Sequence, residues 1–133
     1  MFDKLIEKLF PKKITVKLYT EPDVSSINIR LFVNDRQEAI MNCVKESGSS
    51  ILIGDIRHDD ERPRYNKGYG TMMMKKLLEF SGENGYTYIH GNLSTVDLDH
   101  KDRLHHFYQK FGFTITEYPE PQGNYYGKIE LHL

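Results

Sequence analysis

The stretch that decides the fold runs from Ile51 to Phe80 and reads ILIGDIRHDDERPRYNKGYGTMMMKKLLEF. It begins with an apolar run, continues through a polar loop to a pair of glycines, and ends in an amphipathic segment. In that segment Met73, Leu77 and Phe80 are spaced by four and three residues, which places them on one helical face. The first N–H groups of such a helix lack intrahelical partners, and the helix dipole favours negative charge there. The stretch therefore predicts a strand, a loop and a helix with an anion site at the helix start.

Composition limits the classes of protein to which the chain can belong. Its 133 residues are enough for one domain with a hydrophobic core. The net charge of −1 argues against nucleic acid or an anionic membrane as the main partner. No stretch approaches the roughly 20 apolar residues of a membrane span, and residues 1–10 lack the apolar core of a signal peptide. The single cysteine, Cys43, excludes a disulfide framework and is interpreted as a packed thiol. We expect a cytoplasmic protein.

Before the opening stretch, apolar and polar residues alternate as they do in β-strands. The first four strands are predicted over Ile14–Tyr19, Ile27–Val33, Ala39–Val44 and Ile51–Arg57. Because no helix separates them, they are predicted to form an antiparallel meander, with residues 25–45 as one hairpin. Residues 2–10 have helical spacing and predict a short amphipathic helix that ends at Pro11.

The pattern changes after the helix predicted from about Gly68 to Ser81. A fifth strand begins near Tyr86, and a strand, helix and strand in succession normally form a parallel pair with a right-handed crossover. Strands four and five are therefore predicted to be parallel. A second helix is predicted over about Asp99–Phe111, followed by two strands separated by a turn at Pro119–Gly123. The sequence thus predicts one α+β domain over residues 1–133, with a mixed sheet of six to seven strands flanked by helices.

Two phosphate-binding motifs are absent from the chain. A Walker loop requires G-x-x-x-x-G-K-[ST], and no such string occurs. A dinucleotide fingerprint requires G-x-G-x-x-G, and residues 68–73 read GYGTMM, without the third glycine. Nucleotide binding of either kind is therefore not predicted.

Two other strings carry a resemblance to a known family. Residues 65–70 read YNKGYG at the start of the first predicted helix, and residues 108–113 read YQKFGF at the end of the second. Together, in this order of elements, they resemble the GNAT superfamily of acetyl-CoA-dependent N-acetyltransferases. That family has a pyrophosphate loop of pattern [QR]-x-x-G-x-[GA], which Gly68 and Gly70 match. The resemblance covers about residues 50–116 and implies a GNAT-like domain in which strands four and five splay apart.

The chain departs from the family pattern at three places. The first loop position is Tyr65, and the asparagine that often precedes the helix tyrosine by seven residues is Lys101 here. The family also inserts helices between its first two strands, where this chain has only Glu21–Val24. The acceptor side is therefore expected to be open. The alternatives for closing it are the N-terminal helix, a second subunit in a homodimer, or a large acceptor such as a protein.

The resemblance implies that the chain binds acetyl-CoA. The pyrophosphate is expected against the backbone N–H groups of residues 67–71, because glycine lets a ligand approach the backbone closely. The pantetheine arm is expected between strands four and five, beside Gly54–Arg57. Gly54 and Gly91 are interpreted either as β-bulge sites or as positions of close packing. The residues expected to contact the cofactor are Ile56, Arg57, Arg64, Tyr65, Asn66, Lys67, Gly68, Tyr69, Gly70 and Thr71, with further positive charge from Arg62.

The resemblance also implies a reaction, in which an amine attacks the thioester. Tyr108 matches the family's general acid, although its helical spacing alone indicates a core residue. The base is left open between Asp55, His58 and Asp59 at the end of strand four, of which His58 titrates in the useful range. The predicted function is transfer of an acetyl group from acetyl-CoA to a primary amine of a small molecule or protein. The alternative is a non-catalytic acyl-CoA-binding or interaction module on the same fold.

Two remaining groups of residues have weaker interpretations. The histidines at 100, 105 and 106 lack a well-spaced carboxylate, and adjacent histidines point to different helix faces, so no metal site is predicted. Tyr118, Tyr125 and Tyr126 either line an acceptor pocket or are ordinary strand residues of high β propensity.

Overall fold

A computed structural model describes residues 9, 11–58 and 68–133. Apart from Leu9, the helix predicted for residues 2–10 lies outside the described residues. Within them, seven strands form one sheet: β1 (Ile14–Tyr19), β2 (Ser26–Val33), β3 (Arg36–Glu46), β4 (Ser50–His58), β5 (Tyr88–Ser94), β6 (Thr114–Gln122) and β7 (Tyr125–His132). The α-helices are α1 (Tyr69–Glu83) and α2 (Lys101–Gln109), and a 3-10 helix (Thr95–His100) precedes α2.

The order of strands in the sheet is β1-β2-β3-β4-β5-β7-β6. The first four strands pair antiparallel with their neighbours in sequence, β4 and β5 pair parallel, and β7 lies antiparallel between β5 and β6. The predicted meander, the parallel pair and the single mixed sheet are therefore confirmed. The parallel pair follows from the α1 crossover, since a helix between two strands returns the chain in the same direction.

Two predicted boundaries were wrong. The second helix begins at Lys101 and not near Asp99, because Thr95–His100 forms a 3-10 helix capped by the Ser94 hydroxyl. The predicted turn at Pro119–Gly123 also falls largely within β6, which continues to Gln122. β6 lies at the edge of the sheet, where a proline can occupy a strand because one side of the strand needs no backbone donor.

The core lies between one face of the sheet and the two helices. Alternate residues of the strands point to that face, because successive strand side chains point to opposite sides. Burying each large aliphatic side chain stabilises the fold by about 1.5–3 kcal/mol. Both helices contribute to this one cluster, so they cover the same face. Its members include Ile27, Ile29, Leu31, Met41, Ile51, Ile89, Leu93 and Ile129 of the sheet, Met73, Met74 and Leu77 of α1, and Tyr108 of α2.

Gly127 in β7 lies where the sheet has no room for a side chain. A Cβ at this position would collide with the backbone carbonyl oxygen of Thr116 in β6 and press against the side chain of Leu93. Because backbone cannot move aside as a flexible side chain can, only glycine fits here without displacing β6.

We predict that Gly127→Ala lowers the free energy of unfolding by about 1–3 kcal/mol, the usual cost of overpacking. Gly82→Ala is the matched control, since a Cβ at Gly82 in α1 meets nothing within 4 Å. There the same change should be neutral or stabilising by up to about 1 kcal/mol, because alanine favours helix. Urea unfolding followed by circular dichroism measures both, and equal effects of the two changes would contradict the packing argument.

Candidate active site

β4 and β5 separate after a short paired segment. Their parallel ladder has four residue pairs, and the last is Ile53 with Gly91. Beyond it, β4 remains paired with β3 up to His58, and β5 remains paired with β7 up to Ser94. The gap between the two strands beyond Ile53 and Gly91 is called the split below. Along the split, the facing backbone edges of β4 and β5 no longer pair with each other. An extended ligand can hydrogen-bond to such edges.

Gly54, the first β4 residue in the split, forms a β-bulge. Cys43 of β3 pairs with Ile53 and Asn42 pairs with Asp55, so Gly54 has no partner on β3. A Cβ on Gly54 would come within 3.1 Å of the Asn42 carbonyl oxygen. The bulge interpretation of Gly54 is therefore confirmed, and the tight approach explains why glycine suits the position.

The bulge decides which face of the sheet Asp55 and His58 each take. After it, Ile56 packs against the core, and the ring of His58 lies on the same side, with its centroid 6.1 Å from that of Tyr69. Asp55 is exposed on the other face, which is called the open face below. Without the extra residue at Gly54, the alternation would have directed Asp55 into the core.

A chain of amides orients the carboxylate of Asp55. Asn42 donates from Nδ2 to Asp55 Oδ1 at 3.1 Å, and Asn28 donates from Nδ2 to Asn42 Oδ1 at 2.7 Å. The side chain of Asp55 is still 50% exposed, and Arg57 Nε lies 3.9 Å from its Oδ2. The carboxylate is therefore fixed on one side and accessible to a ligand on the other.

The bulge on the other side of the split is at Tyr126. Leu93 and Ser94 of β5 pair with the residues on either side of Tyr126, which has no partner on β5. The extra residue turns Tyr126 toward the helices, where it is 5% exposed. Gly91 is no bulge: it pairs regularly, and a Cβ there would come within 3.3 Å of the Ile129 side chain. Close packing therefore accounts for Gly91.

The start of α1 leaves backbone donors available. Gly68 is the residue before the helix, with φ of +75°, a conformation that favours glycine. No side chain caps this end, and the first turn contains no acidic residue. The Met72 N–H donates to the Gly68 carbonyl, which is the first bond of the helix. The N–H groups of Tyr69, Gly70 and Thr71 precede it and therefore have no acceptor within the helix. The expected cofactor contacts at Arg62 and Arg64–Lys67, and the candidate base Asp59, lie outside the described residues.

Tyr108 of α2 lies at the helix side of the sheet and is 8% exposed. Its ring packs edge-on against Phe107 and Phe113, with centroids 5.2 and 5.5 Å away. Burial raises the pKa of the Tyr108 phenol, and the negative charge of Asp97 raises it further. Its hydroxyl has no hydrogen-bond partner in the part of the chain that the structure describes. The phenol is therefore neutral at neutral pH and keeps its proton available to a ligand.

His105 and Tyr126 join this region. The sequence considered His105 only for a metal site, which it did not predict, and left Tyr126 open between an acceptor pocket and an ordinary strand position. His105 Nε2 lies 3.0 Å from the Tyr126 hydroxyl, and the two rings are stacked. Burial and then the charge of Glu117 raise the pKa of Tyr126. His105 precedes Tyr108 by three residues, which puts both on one helix face, and this spacing was the one available signal. The orientation of Tyr126 toward His105 could not be predicted, because it depends on the bulge.

Three other residues have mainly structural environments. Burial, followed by the charge of Asp55, raises the pKa of Cys43 to about 12, so its packed thiol carries no thiolate at neutral pH. Lys101 pairs with Glu117 and ties α2 to β6. His100 contacts Asp97 and Asp99. Among the described residues, no group of three His, Cys, Asp or Glu side chains is arranged to hold a metal, and no helix has the length and apolar character needed to cross a membrane.

The chain is similar to known proteins both in sequence and in fold. The acetyltransferase (GNAT) family profile matches residues 62–113, which include the start of α1 and the YQKFGF string. The resemblance to the GNAT superfamily is confirmed. A curated relative, the uncharacterized protein YocC of Bacillus subtilis strain 168, is 33% identical over 66 residues, which are 50% of this chain. The match spans 37% of that protein's length.

Solved structures share the GNAT fold over nearly the whole chain. An acetyltransferase from Bacillus subtilis in complex with CoA has 15% identity and a TM-score of 0.63, covering 92% of this chain and 99% of that one. The IAA acetyltransferase from Bacillus cereus has 12% identity and a TM-score of 0.66, covering 91% and 100%. A GNAT family acetyltransferase from Elizabethkingia anophelis with acetyl-CoA bound has 17% identity and a TM-score of 0.65, covering 90% and 98%. At these identities the likeness concerns the GNAT fold alone.

The buried phenol of Tyr108 predicts a loss of stability in alkali. The folded-state pKa is raised above the value of about 10 for an exposed tyrosine, so the stabilising contribution is complete below about pH 10 and is lost as the pH rises toward the folded-state pKa. Tyr108→Phe removes the phenol and, with it, this pH-dependent contribution to stability. Between about pH 9 and pH 11, its free energy of unfolding should fall less than that of the wild type, by roughly 1 kcal/mol.

Chemical denaturation at several pH values measures this difference. Tyr19→Phe, at a 46% exposed position in β1, is the control and should follow the wild type. Parallel curves for Tyr108→Phe and the wild type would contradict the burial of the phenol.

Proposed function

We propose that this protein transfers an acetyl group from acetyl-CoA to a primary amine. The observation that carries the proposal is the split between β4 and β5, with Tyr108 on its helix side and Asp55 on the open face. A thioester held in the split would have a neutral acid on one side and a carboxylate on the other. Acyl transfer to an amine needs both a proton acceptor and a proton donor.

The start of α1 and the split together fit the two parts of CoA. The free N–H groups after Gly68 suit a pyrophosphate, since the helix dipole adds positive potential there. The unpaired strand edges suit the amides of a pantetheine arm. The CoA or acetyl-CoA named with the Bacillus subtilis and Elizabethkingia anophelis structures supports this assignment. The proposed contacts are Ile56, Arg57, Gly68, Tyr69, Gly70 and Thr71, with Arg64, Tyr65, Asn66 and Lys67 completing the loop.

Asp55 is assigned to the amine. Its carboxylate is oriented by Asn42 and remains half exposed on the open face, where it attracts an ammonium group and can accept its proton. His58 lies on the other side of the sheet beside Tyr69, so its proposed role is on the cofactor side. The open face admits either a small amine or the lysine or N-terminal amine of a protein.

Tyr108 is assigned to the leaving group. The amine nitrogen forms a bond to the acetyl carbonyl carbon as the carbon–sulfur bond breaks, and Tyr108 donates its proton to the departing thiolate. A backbone N–H of β4 beyond Gly54, which β5 no longer uses, stabilises the negative charge that develops on the carbonyl oxygen. The attacking nitrogen gives one proton to Asp55 as the ammonium becomes an amine, and it loses a second as the amide forms. One of these two protons replaces the proton that Tyr108 gives to the thiolate, and the other is released to solvent.

Calorimetric titration with acetyl-CoA, together with a panel of amines and detection of released thiol, tests the function. Binding accompanied by thiol release and an acetylated amine is the expected result. Binding without turnover on any amine, including peptide lysines and N-termini, would instead identify a non-catalytic acyl-CoA-binding module. Absence of binding would refute both.

We predict that Tyr108→Phe lowers kcat by about 10²–10⁴-fold, the usual contribution of a positioned acid. The affinity for acetyl-CoA should change little, because the ring and its packing remain. Tyr19→Phe, at a 46% exposed position of β1, is the matched control and should keep full turnover. Steady-state kinetics on the best amine measures both, and unchanged kcat in Tyr108→Phe would remove Tyr108 from the mechanism.

We predict that Asp55→Asn lowers kcat/KM for a cationic amine by about 10²-fold or more, because the amide can neither attract the ammonium nor take its proton. The amide is similar in size to the carboxylate, so the fold should persist. Asp23→Asn, in the turn after β1, is the control and should be silent. If the two variants had equal kcat/KM, the base would have to be sought elsewhere.

A further inference from the structure

Lys110, the residue that follows α2, reaches the start of α1. Its Nζ donates a hydrogen bond to Thr71 Oγ1 at 2.6 Å, in the first turn of α1. The ammonium also lies 5.3 Å from the ring centroids of both Phe107 and Phe111. The Phe107 ring in turn packs so closely on Gly70 that a Cβ there would come within 3.1 Å of it. Two aromatic rings therefore hold the exposed lysine over the beginning of α1.

The charges around this lysine point to an anion. At the end of α2, the ammonium benefits from the negative end of that helix dipole. The same ammonium, however, faces the positive end of α1, whose first turn has no acidic residue and no capping side chain. Among the described residues, Lys110 forms no ion pair. Within residues 11–58 and 68–133, a lysine and uncapped backbone N–H groups thus converge without a negative partner, and an anion between them would satisfy both.

We propose that Lys110 binds the pyrophosphate of CoA, an inference that rests on the proposed function. It brings a positive charge to the start of α1 from the residue that follows α2. In the [QR]-x-x-G-x-[GA] pattern, Tyr65 occupies the position where glutamine or arginine is expected, and a phenol brings no positive charge. Lys110, 39 residues after Thr71 in the sequence, supplies a positive charge there.

Binding of CoA and of dephospho-CoA, which lacks the 3′-phosphate, tests the assignment by calorimetry. Lys110→Met keeps an apolar stem against Phe107 and Phe111 but removes the charge. It should weaken binding of both ligands by about 10- to 100-fold, as expected for a charge-assisted hydrogen bond. Its affinity should also depend less on salt than that of the wild type, since one screened charge is missing. Lys110→Arg should retain most of the affinity.

Lys75→Met is the matched control, because Lys75 is an exposed lysine on α1 beyond its first turn. It should bind both ligands within about twofold of the wild type, since it leaves the helix start unchanged. If the wild type binds CoA and Lys110→Met binds it equally well, the inference is overturned while the proposed function stands. Failure of the wild type to bind CoA would refute both.

Two further outcomes would also overturn the assignment. A loss seen with CoA but not with dephospho-CoA would move the contact to the 3′-phosphate. A loss with unchanged salt dependence, accompanied by a lower Tm of the ligand-free protein, would make Lys110 a packing link between α1 and α2 and not a phosphate ligand.

Discussion

Hydrogen bonding between β4 and β5 stops after Ile53 and Gly91, while each strand keeps its outer partner, and the architecture of the site depends on this. A backbone group that loses its partner must find another or face water. The sheet accommodates the separation with one extra residue on each side, Gly54 on β4 and Tyr126 on β7. A bulge bends its strand and increases the local twist, so each half of the sheet can turn away from the other. As a result, backbone donors and acceptors line the split, while β4 stays paired with β3 and β5 with β7.

The same two bulges decide which side chains face the split. A shift of one residue sends every later side chain of a strand to the opposite face. On β4 the shift moves Ile56 into the core and Asp55 onto the open face, where Asn42 orients its carboxylate. On β7 it turns Tyr126 toward His105 and the helix side. Acid and base candidates thus come to lie on opposite sides of the sheet, an arrangement in which two reactants can enter from different directions.

The alternation of apolar residues and the crossover rule were sufficient to predict the strand order up to β5 and the helix that starts beside Gly68. They could not predict the bulges. One extra residue hardly changes the composition of a strand, and it changes only which side chains point to which face of the sheet. The contact of Tyr126 with His105 was missed for this reason, since it depends on the register of β7. The extent of β6 was missed because Pro119 and Pro121 normally signal a turn, and only a position at the sheet edge makes them acceptable in a strand. The motif suggested Tyr108 as a candidate acid, while its helical spacing indicated a core residue. The structure buries its ring in the core, and the acid role stays a proposal.

The position of α2 links the two ends of the proposed substrate. Tyr108 faces the buried side of the helix, and Lys110, two residues later, faces the start of α1. The Phe107 ring packs on Gly70, and the pairing of Lys101 with Glu117 fixes the other end of the helix against β6. A phosphate held between α1 and Lys110 would therefore be at a set distance from the phenol that is proposed to protonate the thiolate. The charged end of CoA takes no part in the chemistry, but its binding energy would in this way align the thioester with the proposed acid. A shift of α2 by even about 1 Å would then lower turnover without removing any reacting group.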